Sequence, residues 1–219
     1  FLNKWSSFIS VIAIITAMNA VNMADGIHGL AGGNSLITFL AILYLSFDSV
    51  LNESIFILLL FCAVLPVFLI YNMCLGVSKS KRIFMGDAGS LFIGLVIAWL
   101  LIDLSQGQDR SFSPVTALWL FAVPLIEMAT AILRRIASGS SPFKPDLYHS
   151  HHLLLLIGFN EKITLLLILL ASLLMALIGI IGELYGVSEK SMLIGFIIVF
   201  VIYIFWFGRT LRGILNNNK

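Results

Sequence analysis

The sequence predicts an all-α fold: a polytopic membrane helical bundle with about seven transmembrane helices. Three observations lead there. Of the 219 residues, 60% are hydrophobic and only 11% charged, whereas a soluble domain averages about 25% charged residues. Apolar runs close to the ~20 residues needed to cross a bilayer recur seven times. Finally, the cations cluster on alternate loops, as they do in membrane proteins. This composition excludes disorder and a water-soluble core. The net charge of +2 is uninformative in total, and nothing in it points to nucleic acid. Cys62 and Cys74 lie in or beside apolar runs, which supports neither a disulfide framework nor a cysteine zinc site.

In chain order the expected spans are 5–23, 34–50, 54–75, 89–103, 113–133, 163–182 and 191–208. The second is short once Gly32 and Gly33 are set aside. Pro66 and Pro124 fall inside spans, where a kink is tolerated if neighbours satisfy the freed carbonyl. Without repeats or linkers, one membrane domain over 1–219 is expected. The chain starts with Phe1 and runs straight into an apolar stretch, so it reads as the back part of a longer protein.

Orientation follows from Lys and Arg. With the N-terminus outside, segments 24–33, 76–88, 134–162 and 209–219 lie inside and carry ten of the thirteen cations. The outside loops, around Asp48 to Glu53, Gln106 to Arg110 and Glu183 to Lys190, read as plain connectors. All three polar islands then fall on the inner side.

The first island runs from Asn19 to Gly33. Asn19 and Asn22 stand one helical turn apart and share a face, with Asp25 and His28 following at the same spacing; Gly26 and Gly29 predict a break near Asp25. A solvated polar cap would explain a lone Asp. Two amides, a carboxylate and an imidazole beside four glycines favour a ligand site. The second island is Arg82-Ile-Phe-Met-Gly-Asp-Ala-Gly-Ser90, opening straight into an apolar helix, with Asn72 upstream. A helix start offers N–H groups and partial positive charge to a phosphate, and Asp87 beside it calls for a divalent metal between carboxylate and anion. Phe84 is either an interfacial anchor or a stacking surface for a base. The third island extends from Arg134 and Arg135 to His149, His151 and His152. Zinc is one reading of the histidines. The spacing is not that of a helical zinc-peptidase motif, and phosphate binding by imidazoles with neighbouring cations fits the basic loop better.

Together NAVNMADGIHGLAGG, FMGDAGS and RRIASGSSPFKPDLYHSHHLLLLIGF resemble the polyprenyl-phosphate N-acetylhexosamine-1-phosphate transferase family. The third stretch looks most like its bacterial branch that loads N-acetylglucosamine 1-phosphate onto undecaprenyl phosphate, at the start of O-antigen or common-antigen lipopolysaccharide synthesis. The resemblance implies a multi-pass protein of the bacterial inner membrane with a cytoplasmic active site. It implies attack of undecaprenyl phosphate on the β-phosphate of a UDP-sugar, with UMP released and Mg2+ (or Mn2+) as cofactor. It makes Asp87 the metal ligand and puts Asn22 and Asp25 beside nucleotide and metal. Phe84 would lie near uracil, with Asn72 close by. His149, His151 and His152 would face the diphosphate and sugar, with Arg134 and Arg135 as weaker anion contacts. Asn19 and His28 complete the expected binding set, and a homodimer is compatible with it.

Three departures stand out. The family's adjacent Asp-Asp pair is absent, which fits an expected truncation ahead of Phe1. His28 replaces the second Asp of DGxDGL, and Leu147 stands where a cation is usual. Loss of a charge-assisted hydrogen bond is worth about 1.5–3 kcal/mol, so a catalytically silent relative is one alternative. Another is the peptidoglycan enzyme that transfers phospho-N-acetylmuramoyl-pentapeptide. A transporter is the third, though transporter polar groups lie within the bilayer and these sit at span ends.

Overall fold

The computed structural model describes residues 6–47, 53–107, 109–141 and 148–217, and these are helical with no strand among them. The chain is a polytopic membrane helical bundle. Its helices are α1 (Ser6–Ala24), α2 (Leu30–Ser46), α3 (Glu53–Asn72), α4 (Gly86–Ser105), α5 (Pro114–Leu120), α6 (Ala122–Ala137), α7 (Ser150–Ile157), α8 (Glu161–Leu184) and α9 (Glu189–Asn217). Five of them (α1, α3, α4, α8 and α9) are long and apolar enough to cross a membrane. The α5–α6 pair and the shorter α2 account for the other two expected spans.

The second span is corrected. Helix α2 begins at Leu30, four residues before the expected start at 34, and takes in Gly32 and Gly33. A side chain at Gly33 would strike Leu169 of α8 at 2.8 Å. Close helix approach, which small residues allow in membranes, outweighs the helix-weakening tendency of glycine.

The fifth span is also corrected: it is broken, with α5 and α6 meeting at 87°. The cause is Pro124. In an unbroken helix the carbonyl of Leu120 would accept from residue 124, but proline has no N–H and its ring clashes with that carbonyl. The orphaned Leu120 oxygen instead accepts the Thr38 hydroxyl at 3.0 Å, and Thr38 is buried. Thr38→Val should strand this carbonyl and lower stability by about 1–3 kcal/mol, whereas Thr38→Ser should keep it; thermal unfolding in detergent reads the difference.

The core is built where α1, α2, α3 and α4 meet, around Phe39, Ile42, Leu58, Ile97 and Leu100, all fully buried. Helix α4 crosses α1 at Gly94, where an added Cβ would lie 2.5 Å from Met18 Cα and 2.8 Å from the Ala17 oxygen. That crossing sets how near Asn22 comes to the start of α4. At the far end the loops do more than connect. Arg110 pairs with Glu189 at 2.9 Å, and Glu183 accepts from the Ser113 N–H and the Thr116 hydroxyl, holding the start of α5.

Candidate active site at one end of the bundle

The C-terminal ends of α1 and α3 and the N-terminal ends of α2, α4 and α7 gather at one end of the bundle. Helix α1 stops at Ala24, as the glycines predict, so Asp25 projects from the turn that follows. Opposite it, Gly86 opens α4 with φ +67, a left-handed conformation that side chains resist. Its backbone N–H lies near the Asp25 carboxyl and favours the charged form. One residue on, Asp87 Oδ1 accepts from the Asn22 amide at 3.1 Å, and the same amide reaches Ser90 Oγ at 2.9 Å. The Ser90 hydroxyl in turn donates to the Asp87 carbonyl at 3.1 Å. Two exposed carboxylates thus flank the start of one helix, and Asn22 locks one of them. Loss of surrounding water pushes the Asp25 carboxyl above its usual range and Asp87 adds to this, while the Gly86 N–H and His28 oppose it.

His28 sits beside this pair with Nε2 2.9 Å from Arg82 Nη1. The Phe84 ring is 5.4 Å from the imidazole, tilted, and 71% exposed. That leaves an aromatic face open beside a cation. In the sequence Arg82 only opens the second island, and its place two residues before Phe84 is the signal that it belongs to the site. Asn72 is buried and fully engaged: its oxygen accepts from the Gly29 N–H at 2.7 Å and its amide donates to the Ile83 oxygen at 2.9 Å. It stitches the His28 turn to the Phe84 loop, so its contacts are with backbone.

The histidines arrive from the opposite flank. His149 precedes α7 in extended geometry, while His151 and His152 lie in its first turn. The rings of His151 and His152 are 4.0 Å apart, and His149 stands 5.7 Å and 5.8 Å from them. His151 presents the Nε2 end of its ring to Gly26, where an added Cβ would collide with that nitrogen. The third island therefore touches the first next to Asp25. Among the predicted residues, Asn22, Asp25, His28, Phe84, Asp87 and the three histidines share this end of the bundle, and Asn72 fastens two of its loops. Asn19 instead turns its amide back to the Ile15 carbonyl on its own helix at 2.8 Å. Arg134 lies between the Tyr148 and Phe207 rings, at 5.7 Å and 5.2 Å, and Arg135 is buried. Lys144 and Leu147 lie outside the described residues.

His151 is buried, and burial, with His152 and His149 beside it, drops its pKa from 6.5 to about 3. In the unfolded chain the ring binds a proton below pH 6.5, in the folded chain only below about 3, so the unfolded state holds more protons in between. Stability is therefore full above pH 6.5 and falls as pH drops toward 3. The melting temperature of the detergent-solubilised protein should decline on acidification from pH 6.5, and His151→Gln should flatten that decline.

The fold and this site define a multi-pass membrane protein with paired carboxylates, a helix N-terminus and a mostly buried imidazole cluster gathered at one end of the bundle. Residues 2–105 match the family described as "Glycosyl transferase family 4". The chain is 40% identical over 204 residues to the undecaprenyl-phosphate alpha-N-acetylglucosaminyl 1-phosphate transferase of Escherichia coli O157:H7, covering 92% of this chain and 55% of the relative. To the protein of that name from Haemophilus influenzae it is 42% identical over 175 residues, 80% of this chain and 49% of the relative. The Yersinia pestis relative of that name is 38% identical over 204 residues. The chain is thus similar to glycosyl transferase family 4 over residues 2–105, and its likeness to these relatives extends over most of its length. It spans about half the length of the curated relatives it matches.

Proposed function

We propose that the full-length protein transfers N-acetylglucosamine 1-phosphate from UDP-N-acetylglucosamine to undecaprenyl phosphate and releases UMP, at the cytoplasmic face of a bacterial inner membrane. The observation that carries this reading is the pair Asp25 and Asp87 flanking the start of α4, with His151 against the neighbouring Gly26, in a chain whose curated relatives are named undecaprenyl-phosphate alpha-N-acetylglucosaminyl 1-phosphate transferase. An oxygen of the lipid phosphate forms a bond to the β-phosphorus as the β-phosphorus–oxygen bond to the α-phosphate breaks, and UMP departs with the electron pair. Chemistry of this kind depends on positioning and electrostatics more than on covalent help from the protein.

The donor set fits Mg2+ shared with substrate. Among the described residues no three acidic, His or Cys side chains gather into a metal cage, and Mg2+ in phosphoryl-transfer sites is held by one or two carboxylates, waters and the phosphates. Asp87 would hold it, with Asp25 alongside, and it would neutralise charge on the phosphoryl oxygens. Asn22 fixes the Asp87 carboxylate, Phe84 offers a face to uracil, and Arg82 with His28 lies where an anionic donor enters. His151, neutral at physiological pH, serves as a hydrogen-bonding partner beside the diphosphate rather than as a cation.

Membranes containing the full-length protein should release UMP from UDP-N-acetylglucosamine only when undecaprenyl phosphate and Mg2+ are both present. Release with a muramoyl-pentapeptide donor, and none with N-acetylglucosamine, would move the protein to the peptidoglycan branch.

A further inference from the structure

Glu127 has no part in the reaction as described, yet it is a carboxylate in the helix that follows the break. Its two oxygens reach different elements. Oε2 accepts from the Ser150 N–H at 3.4 Å, and Oε1 accepts from the Tyr203 hydroxyl at 3.2 Å. Ser150 is the first residue of α7, so Glu127 sits over the helix start that carries His151 and His152. Negative charge is favoured there by the unpaired N–H groups and the helix dipole. Two turns along α6, on the same face, Arg134 lies between Tyr148 and Phe207. Tyr203 and Phe207 are themselves one turn apart on α9. One face of α6 and one face of α9 thus grip the chain on both sides of His149, at Tyr148 and at Ser150.

The rest of α9 makes this grip notable. Its apolar side chains, among them Ile194, Ile198, Ile202 and Phe205, are largely exposed, whereas Phe207 is 4% exposed. The helix turns inward at two places, at Met192 and Phe196 against Trp119 of α5, and at Tyr203 and Phe207 beside the histidine segment. On the other side, Glu127 and His151 line one cavity of about 10 Å³, space for roughly one water at most. The imidazole is therefore confined between Gly26 and the wall that Glu127 forms.

We infer that Glu127 and Tyr203 form a positioning brace that sets the start of α7, and with it the placement of His149, His151 and His152. The inference rests on the reaction proposed above for what those imidazoles face, but the brace has a readout of its own. A group that holds a ligand-binding side chain in place typically contributes about 10–100-fold to activity. In the full-length protein, Glu127→Gln and the near-isosteric Tyr203→Phe should each lower kcat for UMP release by about tenfold or more, with KM for the UDP-sugar changed no more than about twofold. Glu127→Asp, which keeps the charge, should recover part of the loss.

Hydrogen exchange supplies the second readout. Amides of residues 149–157 should exchange about tenfold faster in both variants while the α1–α4 core stays protected. Unchanged kcat in both variants overturns the brace, and so does exchange that is unaltered over 149–157 or raised throughout the protein. A wild-type protein that releases no UMP removes the assigned reaction instead, and local exchange then decides the brace alone.

Discussion

Asp87→Asn in the full-length protein should reduce UMP release by about a hundred- to a thousandfold, the range seen when one electrostatic stabiliser is removed from an active site. The substitution is nearly isosteric and leaves an oxygen to accept from Asn22, so the fold should survive. What goes is the charge at the start of α4, opposite the carboxylate of Asp25. The Mg2+ concentration for half-maximal activity should rise in parallel, because a neutral amide is a poorer ligand for a hard cation than a carboxylate. An unchanged rate and an unchanged Mg2+ requirement would remove Asp87 from the metal and leave Asp25 as the remaining carboxylate. Measuring both quantities on the same membranes separates a lost ligand from a lost protein.

The largest effect on stability is expected from Gly94→Ala. Most close contacts at glycines in this bundle are with flexible side chains, such as Leu169 against Gly33 and Met192 against Gly182. Gly94 differs: an added methyl meets Met18 Cα at 2.5 Å, the Ala17 oxygen at 2.8 Å and Met18 N at 2.9 Å. Backbone cannot rotate away, so α1 and α4 must separate. Overpacking costs about 1–3 kcal/mol, and the upper end applies where only main chain is available to move. The same separation would pull Asn22 away from Asp87 and Ser90, whose bonds of 3.1 Å and 2.9 Å leave little slack. Gly94→Ala should therefore lower the melting temperature in detergent and lower activity together. Gly213→Ala, with open space around it, should change neither.

These two expectations show how the site is divided between sequence and tertiary structure. Asp87 stands out in the sequence because its carboxylate lies between glycines at the head of an apolar helix and shares one side of the membrane with two further polar islands. Gly94 does not. It reads as one more small residue in a membrane span, and only the crossing of α1 and α4 gives it weight. Asn72 shows the same division. Its proximity to the Phe84 loop was anticipated, but its amide clamps Gly29 and Ile83, which no local pattern could reveal.

By itself the sequence determined the class of fold and the single end at which the polar islands collect. Those follow from hydropathy and from the placement of cations, which act along the chain and need no partner. Pro124 interrupts the fifth span, and tertiary structure decided the 87° angle of the break and gave the Leu120 carbonyl to Thr38. It also paired Arg82 with His28, brought His151 against Gly26 and set Glu127 over the start of α7. Each of these joins residues separated in the chain, by 23 positions for Glu127 and Ser150, 54 for Arg82 and His28 and 125 (151 − 26) for His151 and Gly26. Their chemistry depends on separations of about 3 Å, and such distances exist only once the helices have packed.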